Sequence, residues 1–460
     1  MPIVEMLEKY AAQKNARFHM PGHKGYGSGA PKFLAECFPF DITELDFSDN
    51  LADPSGAIAS AQRLYAEAYG AEKCLFSTNG STCGVLAMLA SARGKIMAER
   101  ASHVSVFNAL KLRREEAVLV NNRYSDGKFM PLAPDDVRYA LERNPDVGTL
   151  VITAPNYYGE TGDVAAISGI CRERGVRLIA DMAHGAHFAF TPLLKNIYRF
   201  CDAFVVSAHK TLPAMTQAAA VLVNDGSLFD GINGAMRVFH TSSPSYVLMA
   251  SLDYARERAS LAAATGEDRR VFDAVKEITA VPSVKFMPND DFTRLVIEDT
   301  DGAAAERYFV SQGVRPEFSD VSRVVFILSL AESRENLLKL KRAVETMPHF
   351  VKPADGFSFE KPVFTPLKPC SGDTEYVPLG EAEGRVCAGS VGRYPPGVPL
   401  FVSGETVSYA AEAARGEMFG LKNGKIKVYK CKTSSRWKAA KASENQRNCV
   451  FLKNTAKKTA

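Results

Sequence analysis

Short apolar runs alternate with segments of helical period between residues 57 and 206. The runs have the length of β-strands and lie at 73–76, 95–98, 117–120, 149–153, 176–180 and 203–206. The helical segments lie at 57–69, 82–92, 103–113, 135–143 and 163–174. Strands that are apolar throughout, with helices between them, are typical of a mostly parallel sheet covered on both faces. The pattern therefore predicts an α/β fold for this part of the chain.

The pattern changes on either side of this region. A helix is predicted at 2–14 and a long one at 243–262, and residues 270–347 mix helices with strands near 284–286, 292–296 and 324–328. That mixture predicts a smaller α+β domain, and the Pro- and Gly-rich stretch after residue 349 predicts extended or turning chain. The predicted division is an N-terminal arm with an active-site loop (1–56), a large domain (57–265), the α+β domain (266–348), a C-terminal segment (349–428) and a basic, disordered tail (429–460).

Two ionisable residues each follow a predicted strand. Asp181 closes the run 176–180, and Lys210 comes just after the run 203–206. Such residues usually cap helices or face solvent, but the pair is accompanied by His184 and His209. A lysine that holds an aldehyde as a Schiff base and an acid that keeps a pyridine nitrogen protonated suit pyridoxal phosphate. Because ligands bind beyond the carboxyl ends of parallel strands, we expect this site there.

A hydroxyl-rich loop supports the cofactor hypothesis. Residues 77–84 read Ser-Thr-Asn-Gly-Ser-Thr-Cys-Gly, so a strand ends, small hydroxyl residues follow and a helix begins. A helix N-terminus of this kind binds phosphate, although an ordinary helix cap has the same composition. Ser207 and His209 could donate to the phosphate from the opposite side. His103 also opens a helix after a strand, where it either stacks on a flat ring or only starts the helix.

Composition limits the other possibilities. The net charge of +4 hides an uneven distribution, since residues 421–460 hold twelve Lys or Arg and one Glu (+11), which leaves −7 for the rest. Nucleic-acid binding would concern only this tail, which has few aromatic residues to stack on bases. No apolar run approaches the roughly 18 residues of a membrane span, and no secretory signal is visible. Nine cysteines without CxxC spacing favour reduced thiols in a cytoplasmic protein.

The chain resembles the Orn/Lys/Arg decarboxylase family from about residue 18 to about residue 428. The motifs that carry the resemblance are His-Met-Pro-Gly-His-Lys at 19–24, Asp-Asn-Leu at 49–51, Asn-Gly-Ser-Thr at 79–82, Asp-Met-Ala-His-Gly at 181–185, Ser-Ala-His-Lys at 207–210, Thr-Ser-Ser-Pro-Ser-Tyr at 241–246, Ala-Ser-Leu-Asp at 250–253, Tyr-Pro-Pro-Gly-Val-Pro at 394–399 and Gly-Glu at 404–405. Because the motifs begin near Met1, the chain is similar to the compact bacterial group that lacks an N-terminal receiver-like domain.

The resemblance implies a fold type I, pyridoxal-phosphate-dependent transferase-like large domain with a smaller α+β domain. It implies decarboxylation of arginine, lysine or ornithine to a polyamine-type amine, with a slight preference for arginine. Lys210 would be the Schiff-base lysine, Asp181 the partner of the pyridinium nitrogen and His103 the stacking ring. The other implied cofactor contacts are Ser81, Thr82, Ala183, His184, Ser207 and His209. The proton for Cα could come from His184, Lys210 or His103. A homodimer is also implied, with residues 241–243 reaching the partner's phosphate.

The basic end of the substrate needs a carboxylate in the pocket. Glu405 is the first candidate and Asp49 or Asp46 in the acidic loop the next, although Glu405 could instead cap a helix beginning near Thr406. No metal is expected, since a hydrolase built on Asp181, His184, His187 and His209 leaves Lys210 unexplained. An aminotransferase or aldolase of the same fold stays open, with Arg385 or Arg393 as a carboxylate ligand. A non-enzymatic relative would not need both Asp181 and Lys210.

Overall fold

The computed structural model describes residues 1–125, 128–353, 362–393, 397–408 and 418–430. The chain divides into two compact units. The first comprises Met1–Pro369 with Arg393–Pro399, and the second comprises Cys370–Gly392 with the described residues from Leu400 onward. The basic tail predicted at 429–460 lies outside the described residues except for Tyr429 and Lys430, and so do residues 394–396 of the proline-rich motif. No helix in the described ranges is both long and apolar enough to cross a membrane.

An eight-stranded sheet forms the centre of the first unit. Its strands are β1 (Lys73–Ser77), β2 (Lys95–Glu99), β3 (Ala117–Val120), β6 (Val147–Thr153), β7 (Arg177–Asp181), β8 (Ala203–Val206), β9 (Ala219–Val223) and β13 (Phe364–Leu367), in the spatial order β1-β9-β8-β7-β6-β2-β3-β13. A separate hairpin is formed by β4 (Tyr124–Ser125) and β5 (Lys128–Phe129). The contiguous strands β8, β7, β6, β2 and β3 are parallel, as the apolar runs predict.

Two strands of this sheet are not in the predicted set. β9 pairs antiparallel with both β1 and β8, and β13 pairs antiparallel with β3 at the sheet edge. β9 is apolar and entirely buried, like its parallel neighbours, so its composition does not reveal its direction. Because β9 reverses between them, β1 and β8 run the same way and their carboxyl ends lie at one edge of the sheet.

Helices cover the sheet. They are α1 (Pro2–Ala12), α2 (Lys32–Cys37), α3 (Ala57–Tyr69), α4 (Gly80–Ala90), α5 (Val104–Arg113), α6 (Pro134–Arg143), α7 (Val164–Glu173), α8 (Ala208–Thr211), α9 (Phe229–Phe239) and α10 (Tyr246–Ala264). The bounds of α3 match the prediction because Gly70 adopts a left-handed φ of 68° and ends the helix. α4 lies close to the sheet at Gly84, where an added Cβ would come 2.6 Å from Val221 Cγ2.

The predicted α+β region forms the rest of the first unit. It contains α11 (Glu267–Thr279), β10 (Arg294–Glu298), α12 (Gly302–Ser311), β11 (Phe318–Ser319), β12 (Arg323–Ile327) and α13 (Arg334–Glu345), with strand order β10-β12-β11. These helices and strands share a hydrophobic cluster of their own, which includes Phe309 and Leu337. No strand forms at 284–286, where Phe286 makes only an isolated bridge with Ile297.

The remaining strands are short, and all their residues except Arg393 and Pro399 belong to the second unit. They are β14 (Thr374–Pro378), β15 (Val391–Arg393), β16 (Pro399–Phe401), β17 (Met418–Phe419) and β18 (Lys425–Tyr429). β14 pairs with β18, and the other three form a second small sheet in the order β16-β15-β17. Ile426 and Val428 of β18 are fully buried in the core of this unit.

Candidate active site

Asp181 and Lys210 lie at the carboxyl edge of the parallel strands, as predicted. Asp181 is the last residue of β7, is 4% exposed and accepts a hydrogen bond from Ala183 N at 3.1 Å. Lys210 lies in α8, which follows the neighbouring strand β8. The two side chains are close enough that the charge of Asp181 acts to raise the pKa of Lys210. The fold has therefore brought together the acid and the amine on which the cofactor hypothesis depends.

His184 is the direct partner of the lysine. Lys210 Nζ lies 3.1 Å from His184 Nε2. Burial, followed by the positive charge of Lys210, holds the pKa of His184 well below its usual value. Burial also lowers the pKa of Lys210, against the opposing effect of Asp181. Both shifts favour neutral forms, and a neutral amine is the form that reacts with an aldehyde.

His103 is the N-cap of α5, where its Nδ1 accepts from Ser105 N at 3.3 Å. It therefore has the helix-start role that the sequence left open. It also lies near the site. Burial lowers the pKa of His103, the charge of Asp181 acts to raise it, and the charge of Lys210 acts to lower it. The two roles are compatible, since the cap uses only Nδ1 and stacking would use the face of the ring.

Two of the residues predicted to bind the phosphate, Ser81 and Ser207, are brought together from two loops. Ser207 donates a hydrogen bond to Ser81 Oγ at 2.8 Å, so the hydroxyl groups of the two loops are adjacent. Ser81 is in the first turn of α4, where backbone N–H groups have no partner within the helix. Thr82 beside it is exposed, and His209 is half-buried with its pKa lowered by burial and by Lys210.

Glu99 is a site residue that the sequence reasoning missed. It ends β2, is 4% exposed, and accepts hydrogen bonds from Asn122 Nδ2 at 2.6 Å and from Thr153 N at 2.7 Å. Thr153 is paired with Asp181 in the sheet register. Burial raises the pKa of Glu99 to about 7 despite these hydrogen bonds, and the charge of Asp181 adds to the rise. An acid at a strand end was the signal that singled out Asp181, and it could have found Glu99.

Arg294 is a second missed residue. It opens β10 in the α+β region, is 1% exposed, and places Nη2 3.5 Å from His184 Nδ1. The ring of Tyr157 lies against His184 with a centroid distance of 4.7 Å. No local signal marks Arg294, because it belongs to a strand far along the chain that reaches the site only in the tertiary structure.

The candidates for the basic end of the substrate have structural partners. Asp49 accepts backbone hydrogen bonds from five residues that precede or begin α3, namely Asn50, Ser55, Gly56, Ile58 and Ala59. Burial acts to raise the pKa of Asp49, but these bonds outweigh it and the pKa is lowered. Asp46 is exposed. Asp49 therefore stabilises the start of α3.

Glu405 belongs to the second unit and is 8% exposed. Its Oε2 accepts from Val402 N at 3.0 Å and closes a turn. Thr406 makes an isolated β-bridge with Val386, and residues 409–417 lie outside the described residues, so the alternative that Glu405 caps a helix stays a prediction. Arg385, considered for an aminotransferase, contacts Glu375. The side chain of Arg393 lies outside the described residues.

The site residues fit pyridoxal phosphate. That molecule presents an aldehyde, a ring nitrogen that must stay protonated and a phosphate. The structure supplies a half-buried amine on Lys210, a buried carboxylate on Asp181, and the adjacent hydroxyl groups of Ser81 and Ser207 at the N-terminus of α4. Within the described ranges, no group of three or more His, Cys, Asp or Glu side chains is arranged to hold a metal ion.

Comparisons with known proteins agree with this chemistry. The family model "Orn/Lys/Arg decarboxylase, major domain" matches residues 1–298, and "Orn/Lys/Arg decarboxylase, C-terminal domain" matches residues 359–417. The chain is 28% identical to the Bacillus subtilis protein YaaO, which is described as uncharacterized, over 93% of this chain and 96% of that protein. It is 27% identical to a Bacillus subtilis arginine decarboxylase over 88% of this chain and 91% of the relative.

A solved structure shows the same fold. Lysine decarboxylase A from Pseudomonas aeruginosa aligns with a TM-score of 0.76 at 17% identity, covering 93% of this chain and 80% of that one. The fold is that of the fold type I pyridoxal-phosphate enzymes, as expected from the sequence. The chain belongs to the Orn/Lys/Arg decarboxylase family and is a pyridoxal-phosphate-dependent decarboxylase of basic amino acids.

Proposed function

We propose that this enzyme decarboxylates arginine. The observation that carries the proposal is the similarity to the Bacillus subtilis arginine decarboxylase, which extends over 88% of this chain and 91% of the relative at 27% identity. The lysine decarboxylase of known structure is only 17% identical, so it supports the fold and not the substrate. In the reaction the Cα–carboxylate bond breaks, CO2 leaves and a proton takes its place on Cα, which yields the corresponding amine.

The residues at the edge of the sheet would each bind a different part of the cofactor. Lys210 would hold the cofactor through its amine, Asp181 would hold the proton on the ring nitrogen, and His103 would stack on the ring. Ser81, Thr82, Ser207 and His209 would bind the phosphate, and Ala183 and His184 would complete the cofactor contacts. The bound cofactor supplies an acceptor for the electron pair that is released when the carboxylate leaves.

The protein must return a proton to Cα after CO2 has left. Lys210 and His184 are adjacent at 3.1 Å, and both have pKa values lowered by burial. Groups of this kind exchange protons near neutral pH more readily than an ordinary lysine does. His103 is the third candidate, since its pKa is lowered by burial as well.

The basic end of the substrate would be met by Glu405, with Asp49 as the alternative. Asp49 already accepts several backbone hydrogen bonds at the start of α3. Glu405 is a buried carboxylate whose Oε2 accepts from Val402 N, and a carboxylate suits the forked donors of a guanidinium.

A homodimer would complete the site. Thr241, Ser242 and Ser243 are exposed in this chain, although Thr78 N, in the phosphate loop, donates to the neighbouring His240 at 2.9 Å. Exposed hydroxyl groups beside the phosphate loop suit contact with the phosphate of a second copy. Activity should then fall on dilution to nanomolar concentration in step with dissociation, as followed by mass photometry.

The substrate proposal is tested by incubating the purified holoenzyme with arginine, lysine and ornithine separately. Released CO2, the amine product and any keto acid are measured, and Lys210→Ala gives the background. We expect the amine of arginine to form with a kcat/KM at least about tenfold above that for the other two, since mismatch in a pocket of fixed length costs at least about 1.4 kcal/mol. A preference for lysine or ornithine would contradict the choice of substrate, and keto acid in place of amine would indicate an aminotransferase.

A further inference from the structure

The guanidinium of Arg294 occupies an unusual environment beside the catalytic lysine. The side chain is 1% exposed, and its Nε and Nη1 have no hydrogen-bond partner among the described residues. Its Nη2 lies 3.5 Å from His184 Nδ1, and its central carbon lies 6.0 Å from the ring centroid of Tyr157. The charges of Asp291, Tyr157 and Glu317 act to stabilise this cation, but a buried guanidinium with so few hydrogen bonds is still costly for folding.

The contact with Arg294 determines the protonation of His184. An arginine side chain only donates hydrogen bonds and keeps its charge at any ordinary pH. His184 Nδ1 therefore has to be the acceptor. In a neutral imidazole the other nitrogen then carries the proton, so this proton is on Nε2 and points toward Lys210 Nζ at 3.1 Å.

The protonation of His184 in turn determines that of Lys210. An Nε2–H group donates to Lys210, and the amine can accept only through a lone pair, which the ammonium form lacks. The opposite arrangement would have a charged Lys210 donate to Nε2. It requires a proton on Nδ1, where an N–H group would face the N–H groups of Arg294. The charge of Arg294 and its donor geometry both disfavour that arrangement.

We propose that Arg294 is a positioning residue that fixes His184 in the Nε2-protonated form and so keeps Lys210 as a neutral amine. The neutral amine would be the nucleophile toward the cofactor aldehyde: a C=N bond would replace the C=O bond, and the two amine protons would leave with the aldehyde oxygen as water. Arg294 thus prepares the lysine for cofactor attachment without touching the reacting atoms. The role is independent of which basic amino acid is the substrate.

The charges around the pair are consistent with this assignment. Lys210 faces Asp181 and Glu317, whose charges act to raise its pKa, and Arg294, which lowers it. Burial is the largest effect and the pKa of Lys210 is lowered. For His184, burial, Lys210 and Arg294 all lower the pKa, and the neighbouring His103 and His209 act in the same direction.

The test measures the ionisation of Lys210 in the full-length protein freed of cofactor. Trace labelling with acetic anhydride over a pH series, followed by mass spectrometry of the Lys210 peptide, gives the midpoint at which the amine becomes reactive. In Arg294→Met we expect this midpoint to rise by about one pH unit or more, because both the donor and the charge are lost. Uptake of pyridoxal phosphate at pH 7, followed by absorbance, should slow by about tenfold and recover at higher pH.

Arg323→Met is the matched control. Arg323 is also 1% exposed and lies in the neighbouring strand β12, but its side chain contacts Asp320 and Ser322. It should lower the melting temperature without moving the Lys210 midpoint. An unchanged midpoint in Arg294→Met, or an equal shift in both variants, would overturn the proposal.

A second variant decides the matter if Arg294→Met does not fold. His184→Phe leaves Arg294 in place and removes the Nε2–H group from Lys210. It should also raise the Lys210 midpoint and slow cofactor uptake at pH 7. A midpoint that stays at the wild-type value in His184→Phe would show that the arrangement of Arg294, His184 and Lys210 does not control the lysine.

Discussion

At the scale of single residues, the site depends on ionisable groups that are buried and close together. Asp181, Glu99 and Lys210 lie where three parallel strands end, and the charge of Asp181 acts to raise the pKa of the other two groups. The pKa of Glu99 is raised to about 7, so the folded protein holds this proton more tightly than the unfolded chain does. The free energy of unfolding therefore falls as the pH rises from the ordinary pKa of a glutamic acid toward about 7. The fold tolerates that cost at the sheet edge where the cofactor would bind.

Substitutions of Lys210 and Asp181 should separate attachment of the cofactor from the decarboxylation step. Lys210→Ala should lose the cofactor link that borohydride traps, because that link would be made by the amine of Lys210. Asp181→Asn should still bind cofactor but lose most decarboxylation, since a neutral amide does not hold a proton on the ring nitrogen. Mass spectrometry after borohydride treatment and single-turnover kinetics measure the two effects. Near wild-type turnover in Asp181→Asn would show that another acid has this role.

Glu405→Gln tests recognition of the basic end of the substrate. We expect KM to rise by roughly tenfold or more for every basic substrate, as for loss of one charge-assisted contact of about 1.5–3 kcal/mol. Glutamine keeps an oxygen for the Val402 N contact, so thermal stability should change little. If KM is unchanged and only the melting temperature falls, Glu405 serves the turn alone.

At the scale of helices and strands, close packing places the phosphate loop. α4 approaches the sheet at Gly84, where a Cβ would come 2.6 Å from Val221 and 2.8 Å from Val205. The same helix begins at Gly80, whose φ of 74° is in the left-handed region that favours glycine. The position of Ser81 therefore depends on small residues on either side of it.

Gly84→Ala should displace α4 from the sheet. Such overpacking costs about 1–3 kcal/mol of unfolding free energy, and the moved Ser81 should weaken cofactor binding. Urea unfolding and cofactor titration measure both. Gly169→Ala in α7 is the control, because nothing lies within 4 Å of its Cβ position and alanine favours a helix. A Gly84→Ala variant as stable as Gly169→Ala would contradict the packing argument.

A buried histidine–aspartate pair connects the large domain to the α+β region. His187 Nε2 lies 3.0 Å from Asp291 Oδ1, and Thr293 donates to the same oxygen. Burial acts to raise the pKa of Asp291, but His187 and these hydrogen bonds outweigh it, so the pKa lies below its usual value. The ionised Asp291 therefore contributes to the free energy of unfolding above the pKa of an unfolded aspartate, about 3.9. This contribution is lost as the pH falls through the folded pKa.

Asp291→Asn should destabilise the protein by about 3–5 kcal/mol at pH 7, as for breaking a buried pair. The difference from wild type should shrink as the pH falls below about 4. Urea unfolding over a pH series measures it. Asp273→Asn, on the exposed face of α11, should change stability by less than about 0.5 kcal/mol. A pH-independent difference would mean that the Asp291 charge does not contribute.

At the scale of the whole molecule, the chain combines a sheet domain that carries the candidate active site with a second unit of short strands. β18 is the last strand described, and Tyr429 at its end donates to Cys370 O at 2.8 Å. The second unit therefore requires the chain as far as this strand. The basic residues that follow account for most of the positive charge of the tail.

Truncation after Lys430 should leave kcat/KM and melting temperature nearly unchanged, because it keeps β18 and removes residues of low apolar content. Truncation after Lys422 is the contrast, since it removes β18 with the buried Ile426 and Val428. We expect that variant to expose the second unit to limited proteolysis. A loss of activity on truncation after Lys430 would give the tail a function.

The sequence by itself determined the fold class, the cofactor and the acid and lysine that would hold it. Apolar runs identify buried strands, and parallel strands bring their carboxyl ends to one edge, so Asp181 and Lys210 could be placed together from local pattern alone. The direction of individual strands and the long-range contacts of side chains were decided only by the tertiary structure. β9 reverses in the sheet although it is as apolar as its neighbours, and Arg294 reaches His184 from a strand 110 positions away. Burial and long-range contacts determine which strands pair and how the site residues ionise. Neither burial nor a long-range contact can be read from the residues that neighbour a given position along the chain.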